Sequence, residues 1–291
     1  MKLNNAQLTE LADIAMVAAQ DAAAYIQSKF DQHYVKYKKV GGDSIASQLV
    51  TEVDRQSQEI ILAYLAPTMK AFDLGLLTEE SEDDHSRLEK DYFWCIDPLD
   101  GTLPFTENRT GYAVSIALVA REGQSVLGVV HIPDTGDAYL AVAGQGVKHN
   151  GRPWDLAKGE DQDIRVFQDS SFQNTAYYDK ALAALEEYAS KQDKKLVLHS
   201  GYGGVRSSIS LLNCTAGCFF KFPKPTLGGG SIWDYGATQI IFKELGMLVS
   251  DALGAPLYLN HKDSTFLNHC GIVYSTNSQL HNFLLELRER V

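Results

Sequence analysis

Apolar residues recur every three to four positions across residues 5–30, with Leu8, Leu11, Ile14 and Ala18 on one stripe. That period predicts an alanine-rich amphipathic helix. A second helix is predicted over 51–64, with Val53, Ile60 and Ile61 facing inward. The rhythm then shortens. YFWCI (92–96), YAVSIALVA (112–120), SVLGVVHI (125–132) and DAYLAVAG (137–144) read as strands, and Gly123 and the PDTG run at 133–136 mark turns between the last three. Short strands joined by such turns predict an antiparallel meander. Beyond the NGRP turn at 150–153 the pattern becomes strand, helix, strand (IRVFQ, KALAALEEYASK, KLVLHS). Helices are expected near 205–216, over 232–245 and in the closing LHNFLLELRER. This alternation predicts an α/β layer. The polar stretch AKGEDQD at 157–163 is the expected boundary between an α+β half, 1–155, and an α/β half, 156–291. No internal repeat or low-complexity tract interrupts the pattern.

Composition narrows the class. A chain of 291 residues with 45% hydrophobic and 22% charged residues suits a soluble globular protein with a large core. The net charge of −11 argues against a nucleic-acid polymer or an anionic membrane as partner, since either needs a basic face. Glu10, Asp13 and Asp21 interrupt the apolar residues at the N-terminus, so neither a signal peptide nor a membrane span is expected. Of Cys95, Cys214, Cys218 and Cys270, only the middle two are close, and at helical spacing they would share a face. No second pair completes a zinc site, so free buried thiols in a reducing cytoplasm are expected. None of the eight histidines has a neighbour at metal-ligand spacing, and His261 and His269 are expected to be structural.

The chemistry gathers around Asp97-Pro98-Leu99-Asp100. Residues three apart in an uninterrupted strand point to opposite faces. A bend at Pro98 would instead bring Asp97, the Leu99 carbonyl and Asp100 around one point. Gly101 would let the backbone pass close to a ligand, and Thr102 would open a short helix that tolerates Pro104. The amides of Gly101 and Thr102 would then grip an anion. Alone, this stretch reads equally as an Asp-Pro turn with a capping threonine. An EF-hand fits worse, because Gly101 is fifth rather than sixth and Asn108 stands where the bidentate glutamate belongs. GYGGVRSS (201–208) lacks the Gly-Lys-Ser/Thr of a nucleotide triphosphate loop and reads as a strand-to-helix turn, with Arg206 and Ser207 at the substrate cleft.

Further acids keep company with this pair: Glu79 and Glu80 in LTEE (77–80), Asp234 in SIWDYGAT (231–238) and Asp54 in LVTEVD (49–54). Singly, each reads as surface acid or helix cap. Together with WCIDPLDGT (94–102), in this order and spacing, they make the chain resemble the inositol monophosphatase superfamily of metal-dependent phosphatases along nearly its whole length. The resemblance implies a layered α-β-α-β-α sandwich with its metal site between the two halves. It implies Mg2+ as cofactor, in two or three ions, with Mn2+ as an alternative; oxygen ligands of this kind suit a hard cation. Asp97 would bridge two ions, Glu79 and the Leu99 carbonyl would hold the first, and Asp100 and Asp234 the second. Thr102, with Glu79 behind it, would orient the attacking water, Glu80 would support from outside the ligand set, and Asp54, counted with the catalytic residues, would help hold a third, weaker ion. Homodimers and lithium inhibition are common in the family.

The substrate is expected to be a small phosphorylated metabolite. LTEE, the run FFKFPKPTLGGGSIWD (219–234) and STFLN (264–268) resemble the bacterial 3′(2′),5′-bisphosphate nucleotidase branch, which implies 3′-phosphoadenosine 5′-phosphate. Lys221 or Lys224 would contact the second phosphate. Leu103-Pro104-Phe105 and Ser210 depart from that branch, where polar residues are usual. Inositol-1-phosphate hydrolysis is the alternative, and a non-catalytic protein that binds metal and sugar phosphate is a rival from another class.

Overall fold

The computed structural model describes residues 2–32, 36–38, 49–156, 163–169 and 171–291. Helix α1 (Asn5–Lys29) begins at a capping box in which Asn4 and Gln7 exchange side-chain-to-backbone hydrogen bonds. Its buried stripe holds Leu8, Leu11, six alanines and Ile26. Small side chains let it lie close to α2 (Glu52–Phe72) and the sheet beneath. Helix α2 runs eight residues past the predicted end at 64 and passes through Pro67. The ring removes one amide donor, but Pro67 and Ala63, whose carbonyl loses its partner, are both exposed to water. Val53 and Ile61 face the core as expected, while Ile60 is half-buried.

The first sheet has seven strands: β3 (Gly75–Thr78), β4 (Tyr92–Asp100), β5 (Ala113–Ala120), β6 (Ser125–Ile132), β7 (Asp137–Val142), β8 (Val147–His149) and β9 (Arg152–Trp154), in that spatial order. A short helix, α3 (Ser86–Glu89), leads from β3 towards β4, and β3 pairs parallel to β4. Every other pairing in this sheet is antiparallel, so the predicted meander is present and longer than expected. Two further strands, β1 (Lys36–Lys38) and β2 (Leu49–Thr51), form a separate ribbon ahead of α2.

The second sheet has the order β11-β10-β12-β14-β13, built from β10 (Asp163–Gln168), β11 (Lys195–Ser200), β12 (Gly217–Lys221), β13 (Leu248–Ser250) and β14 (Ile272–Ser275). β10 pairs parallel to β11 and β12, as the strand–helix alternation predicts, and β14 pairs antiparallel to β12 and β13. The helix expected over 205–216 stops early. α6 (Gly204–Ser210) passes into a 3-10 turn at Leu211–Asn213, and β12 follows, so Cys214 lies beyond the helix and Cys218 on a strand. All four cysteines are free.

Strand alternation sorts the side chains into layers. On β4, Trp94 and Ile96 face α1 and α2, while Phe93 and Cys95 face α7 (Ile232–Glu244). On β12, Phe219 faces α7 from the other side, whereas Cys218 and Phe220 face α5 (Tyr178–Ser190) and α8 (Ser278–Arg288). The layers therefore run α1/α2, seven-stranded sheet, α7, five-stranded sheet, α5/α8, which is the expected α-β-α-β-α sandwich. The central core draws on both sides of position 155. Of the stretch 157–163 named as a boundary, 157–162 lie outside the described residues. No helix among the described residues is long and apolar enough to cross a membrane.

Candidate metal centre

The site grows from an irregularity in β4. Asp97 pairs with Ser115 of β5 and Asp100 with Ala113, so three steps on one strand oppose two on the other. The extra residue is a bulge, and it turns Asp97 and Asp100 towards the same target. This is the bend that Pro98 predicts, placed inside the strand rather than after it. Helix α2 fixes it: the Ser57 hydroxyl donates to the Pro98 carbonyl at 2.8 Å. The Leu99 amide donates to Asp97 Oδ1 at 3.1 Å. Gly101 follows at φ +82°, and a Cβ there would stand 2.6 Å from the Gly111 carbonyl oxygen, so only glycine fits. Thr102 then opens α4 (Thr102–Thr106), with Pro104 inside it as expected.

Asp234 reaches the same point from the second half of the chain. It stands in the first turn of α7 and accepts from the Ser231 amide at 2.9 Å. Oxygens of Asp97, Asp100 and Asp234 all lie within 4.8 Å of one another. Glu79 follows β3, with its amide donating to the Ile96 carbonyl at 3.2 Å and its side chain hydrogen-bonded to Asp97. Gln58 of α2 holds this loop, accepting from Thr78 Oγ1 at 2.6 Å and the Glu80 amide at 3.1 Å and donating to Ser81 at 2.8 Å. The four predicted carboxylates thus converge from three separate elements.

Among the described residues the acids of this cluster bear mainly on one another, with Lys221 pulling on Asp234. Asp97 and Asp100 are 1% and 5% exposed. Burial, reinforced by the neighbouring acids, raises both carboxyls well above their usual range. Asp234 is pushed up to about 6, chiefly by burial and against the pull of Lys221. Such a set of oxygen donors fits a hard divalent cation.

Thr102 and Asp54 differ from expectation. The Thr102 hydroxyl donates to Asp54 Oδ1 at 2.8 Å and approaches the Leu99 carbonyl at 3.3 Å. Its carboxylate partner is therefore Asp54, not Glu79, because the bulge turns Thr102 towards α2 while Glu79 meets Asp97. Asp54 is fully buried and stands outside the three-aspartate cluster. Its other oxygen accepts from the Thr51 amide and hydroxyl at 2.8 and 2.5 Å. Burial pushes its carboxyl up to about 6 despite these bonds.

The second half also supplies residues that pattern reading missed. A Cβ on Gly203 would fall 2.3 Å from the Asp100 carboxylate, so the bare backbone packs against that group. Asp100 accepts from the Gly204 amide and, at 3.1 Å, from the Arg206 amide. The glycines of 201–204 thus serve close approach to a carboxylate. Arg206 Nε is buried without a hydrogen-bond partner. Ser207 is fully buried, so it offers no surface to a cleft. Lys221 bridges to Asp169 at 2.5 Å, close enough to Asp234 to oppose its rise. Lys224 lies beside Gly229. His261 and His269, expected to be structural, lie together: their ring centroids are 4.4 Å apart, and with Cys270 they form a second cluster of ligand-type atoms. Spacings of eight and one residues across an irregular loop carry no periodic signal that could have revealed it.

Comparison with known proteins places this geometry. The chain is 29% identical over 231 residues to a putative Nus factor SuhB of Neisseria meningitidis serogroup B, covering 76% of this chain and 80% of that one. It is 32% identical over 185 residues to the 3′(2′),5′-bisphosphate nucleotidase CysQ of Aggregatibacter actinomycetemcomitans, covering 60% and 61%. The crystal structure of CysQ from Bacteroides thetaiotaomicron, described as a bacterial member of the inositol monophosphatase family, superposes with a TM-score of 0.72 at 25% identity, over 92% of this chain and 98% of that one. The family model itself matches residues 7–291. With the bulged pair of aspartates, the third aspartate on α7 and the layered sandwich all in place, the chain belongs to the inositol monophosphatase family of metal-dependent phosphatases.

Proposed function

We propose that the chain hydrolyses a phosphate monoester of a small metabolite with magnesium-activated water, and that its substrate is a 3′(2′),5′-bisphosphate nucleotide of the 3′-phosphoadenosine 5′-phosphate kind. The observation that carries the reaction type is the meeting of Asp97, Asp100 and Asp234 beside a buried Thr102–Asp54 pair. Two Mg2+ ions bound there would supply Lewis acidity and a water of lowered pKa. In this reading Asp97, Glu79 and the Leu99 carbonyl would hold one ion, and Asp97, Asp100 and Asp234 the other. Asp54 accepts the Thr102 hydroxyl proton in a fixed hydrogen bond. That fixes the direction of the threonine lone pairs, which then align a water for attack. Glu80 and Gln58 hold the loop of Glu79. The amides of Gly101 and Thr102 receive phosphate oxygens, and Arg206 and Lys224 are the cations offered to the substrate. Lys221 acts through Asp169 and Asp234 rather than as a free phosphate contact.

The substrate assignment is supported by the identity to CysQ and by the stretches 77–80, 219–234 and 264–268. We keep residues 1–155 and 156–291 as two halves, the first carrying most ligands and the second bringing Asp234. A homodimer, lithium sensitivity and a cytoplasmic location belong to the same proposal. The test measures kcat/KM with Mg2+ for 3′-phosphoadenosine 5′-phosphate, inositol-1-phosphate and fructose-1,6-bisphosphate side by side. The nucleotide is expected to lead, and a clear lead for inositol-1-phosphate rejects the assignment. Magnesium binding without phosphate release from any of the three would reject hydrolysis of this substrate class.

A further inference from the structure

We propose that His261, His269 and Cys270 form a second metal site, distinct in chemistry from the aspartate cluster, that takes a zinc-class ion and clamps the loop behind Asp234. One ligand atom from each residue lies within 4.8 Å of the other two. Ligands of a single tetrahedral zinc stand about 3.3–3.8 Å apart, so a small side-chain rotation closes the set. His269 is exposed and free to make it.

His261 is already arranged as a ligand. One ring nitrogen bonds the backbone of Tyr258, while Nε2 is buried with no hydrogen-bond partner. A histidine that donates one N–H to a carbonyl presents the lone pair of its other nitrogen, the usual tautomer at a metal. A buried imidazole nitrogen without a partner is costly in a purely structural role. The rings of His261 and His269 meet edge to face at 87°. Two imidazoles and a thiolate suit zinc, whereas the all-oxygen aspartate cluster suits magnesium. Binding requires Cys270 to release its thiol proton to solvent.

Both arms of the site are anchored. The His261 carbonyl accepts from Arg87 at 2.9 Å, and Asn260 exchanges hydrogen bonds with Arg87 at 2.7 and 3.1 Å. Arg87 also pairs with Asp83 at 2.7 Å, which offsets its positive charge near the site. On the other arm, the Cys270 amide donates to the Leu267 carbonyl and its carbonyl accepts from Ala252. Between the arms, the Leu267 amide donates to the Gly230 carbonyl at 3.0 Å and the Ile232 amide to the Thr265 carbonyl at 2.9 Å. Those partners lead directly into the cap of α7 that carries Asp234. An ion joining the arms would pin the segment on which Asp234 is mounted.

Cobalt titration into the metal-free chain tests this, with absorption as the readout. The expected result is one cobalt per chain, in addition to any held by the aspartate cluster, that gives a thiolate-to-metal charge-transfer band which zinc displaces and magnesium does not. Cys270→Ser should abolish the band, His269→Gln should weaken binding at least about tenfold, and Asp97→Asn should keep both. Zinc should raise the melting temperature of Asp97→Asn but not that of Asp97→Asn/Cys270→Ser. Circular dichroism of the metal-free variants establishes that each is folded. Absence of a band from folded protein, survival of the band in Cys270→Ser, or zinc binding lost in Asp97→Asn would each overturn the proposal. None of these results depends on phosphatase activity.

Discussion

Asp234 has buried charge on both sides, and the two sides are treated differently. On one, Lys221 and Asp169 form a pair, 15% and 21% exposed, in which burial pushes the aspartate up but Lys221 and the hydrogen bonds from Ser171 together hold it below its usual range. On the other, Asp97 and Asp100 are more deeply buried and pushed upwards, with acids for neighbours. A fold can satisfy its own charges, as the pair demonstrates. Where it leaves several like charges together in a rigid frame, the missing partner is supplied from outside. That contrast marks the metal centre more sharply than any single residue does.

The comparison can be broken most strongly at its acidic side. Asp97→Asn should lower kcat/KM on the order of 10³-fold or more, since it removes the proposed shared ligand. Differential scanning calorimetry of the same variant without metal should give a melting temperature equal to or above that of the parent, because one uncompensated carboxylate is gone. A metal-free variant that melts well below the parent would contradict the picture of like-charge strain. Thr102→Ala and Asp54→Asn should each reduce kcat by roughly 10²–10³-fold. Magnesium affinity, followed by calorimetric titration, should change little in either, which separates the water-orienting pair from the ligands.

Asp169→Asn probes the balanced side. It strands Lys221 and should cost about 1–3 kcal/mol of stability in urea titrations, less than for a fully buried pair because both groups retain some exposure. The two sides should also respond oppositely to acid. Asp54 and Asp234 have folded values of about 6 against an ordinary 3.8, so they bind more protons folded than unfolded. Their contribution is fully present below about pH 4 and is lost as pH rises through about 6. Asp169 is lowered, so its contribution is present above its ordinary value and is lost only on stronger acidification. Metal-free protein should therefore become more stable from neutral pH down to about pH 4, and saturating Mg2+ should flatten that slope. The smallest expected effect is Ser57→Ala, which removes the bond supporting the Pro98 bend and should cost about 1 kcal/mol.

Legibility in the sequence followed periodicity. Alternation at 92–96 and 125–132 announced strands that the structure contains, and the α1 stripe announced its helix. Asp97 and Asp100 were readable as a pair because Pro98 and Gly101 signal a bend. The extension of α2 past 64 was hidden by Pro67, whose cost depends on which face meets water, and water contact is a tertiary fact. Strands β12 to β14 are short, and no alternating run sets them apart from their loops. Asp54 could be placed on a helix, and Thr51-x-x-Asp54 has the spacing of a capping box. Its bond to Thr102, 48 positions away, depends on how the bulge turns the next helix. The same limit hid Gly203 against Asp100 and the convergence of His261, His269 and Cys270.

The most direct test is a crystal of the full chain grown with Mn2+ and phosphate and measured at the manganese absorption edge. The account predicts anomalous peaks between Asp97, Asp100 and Asp234, with phosphate oxygens among the ligands. Saturating manganese that leaves no peak within coordinating distance of any of the three aspartates would contradict it.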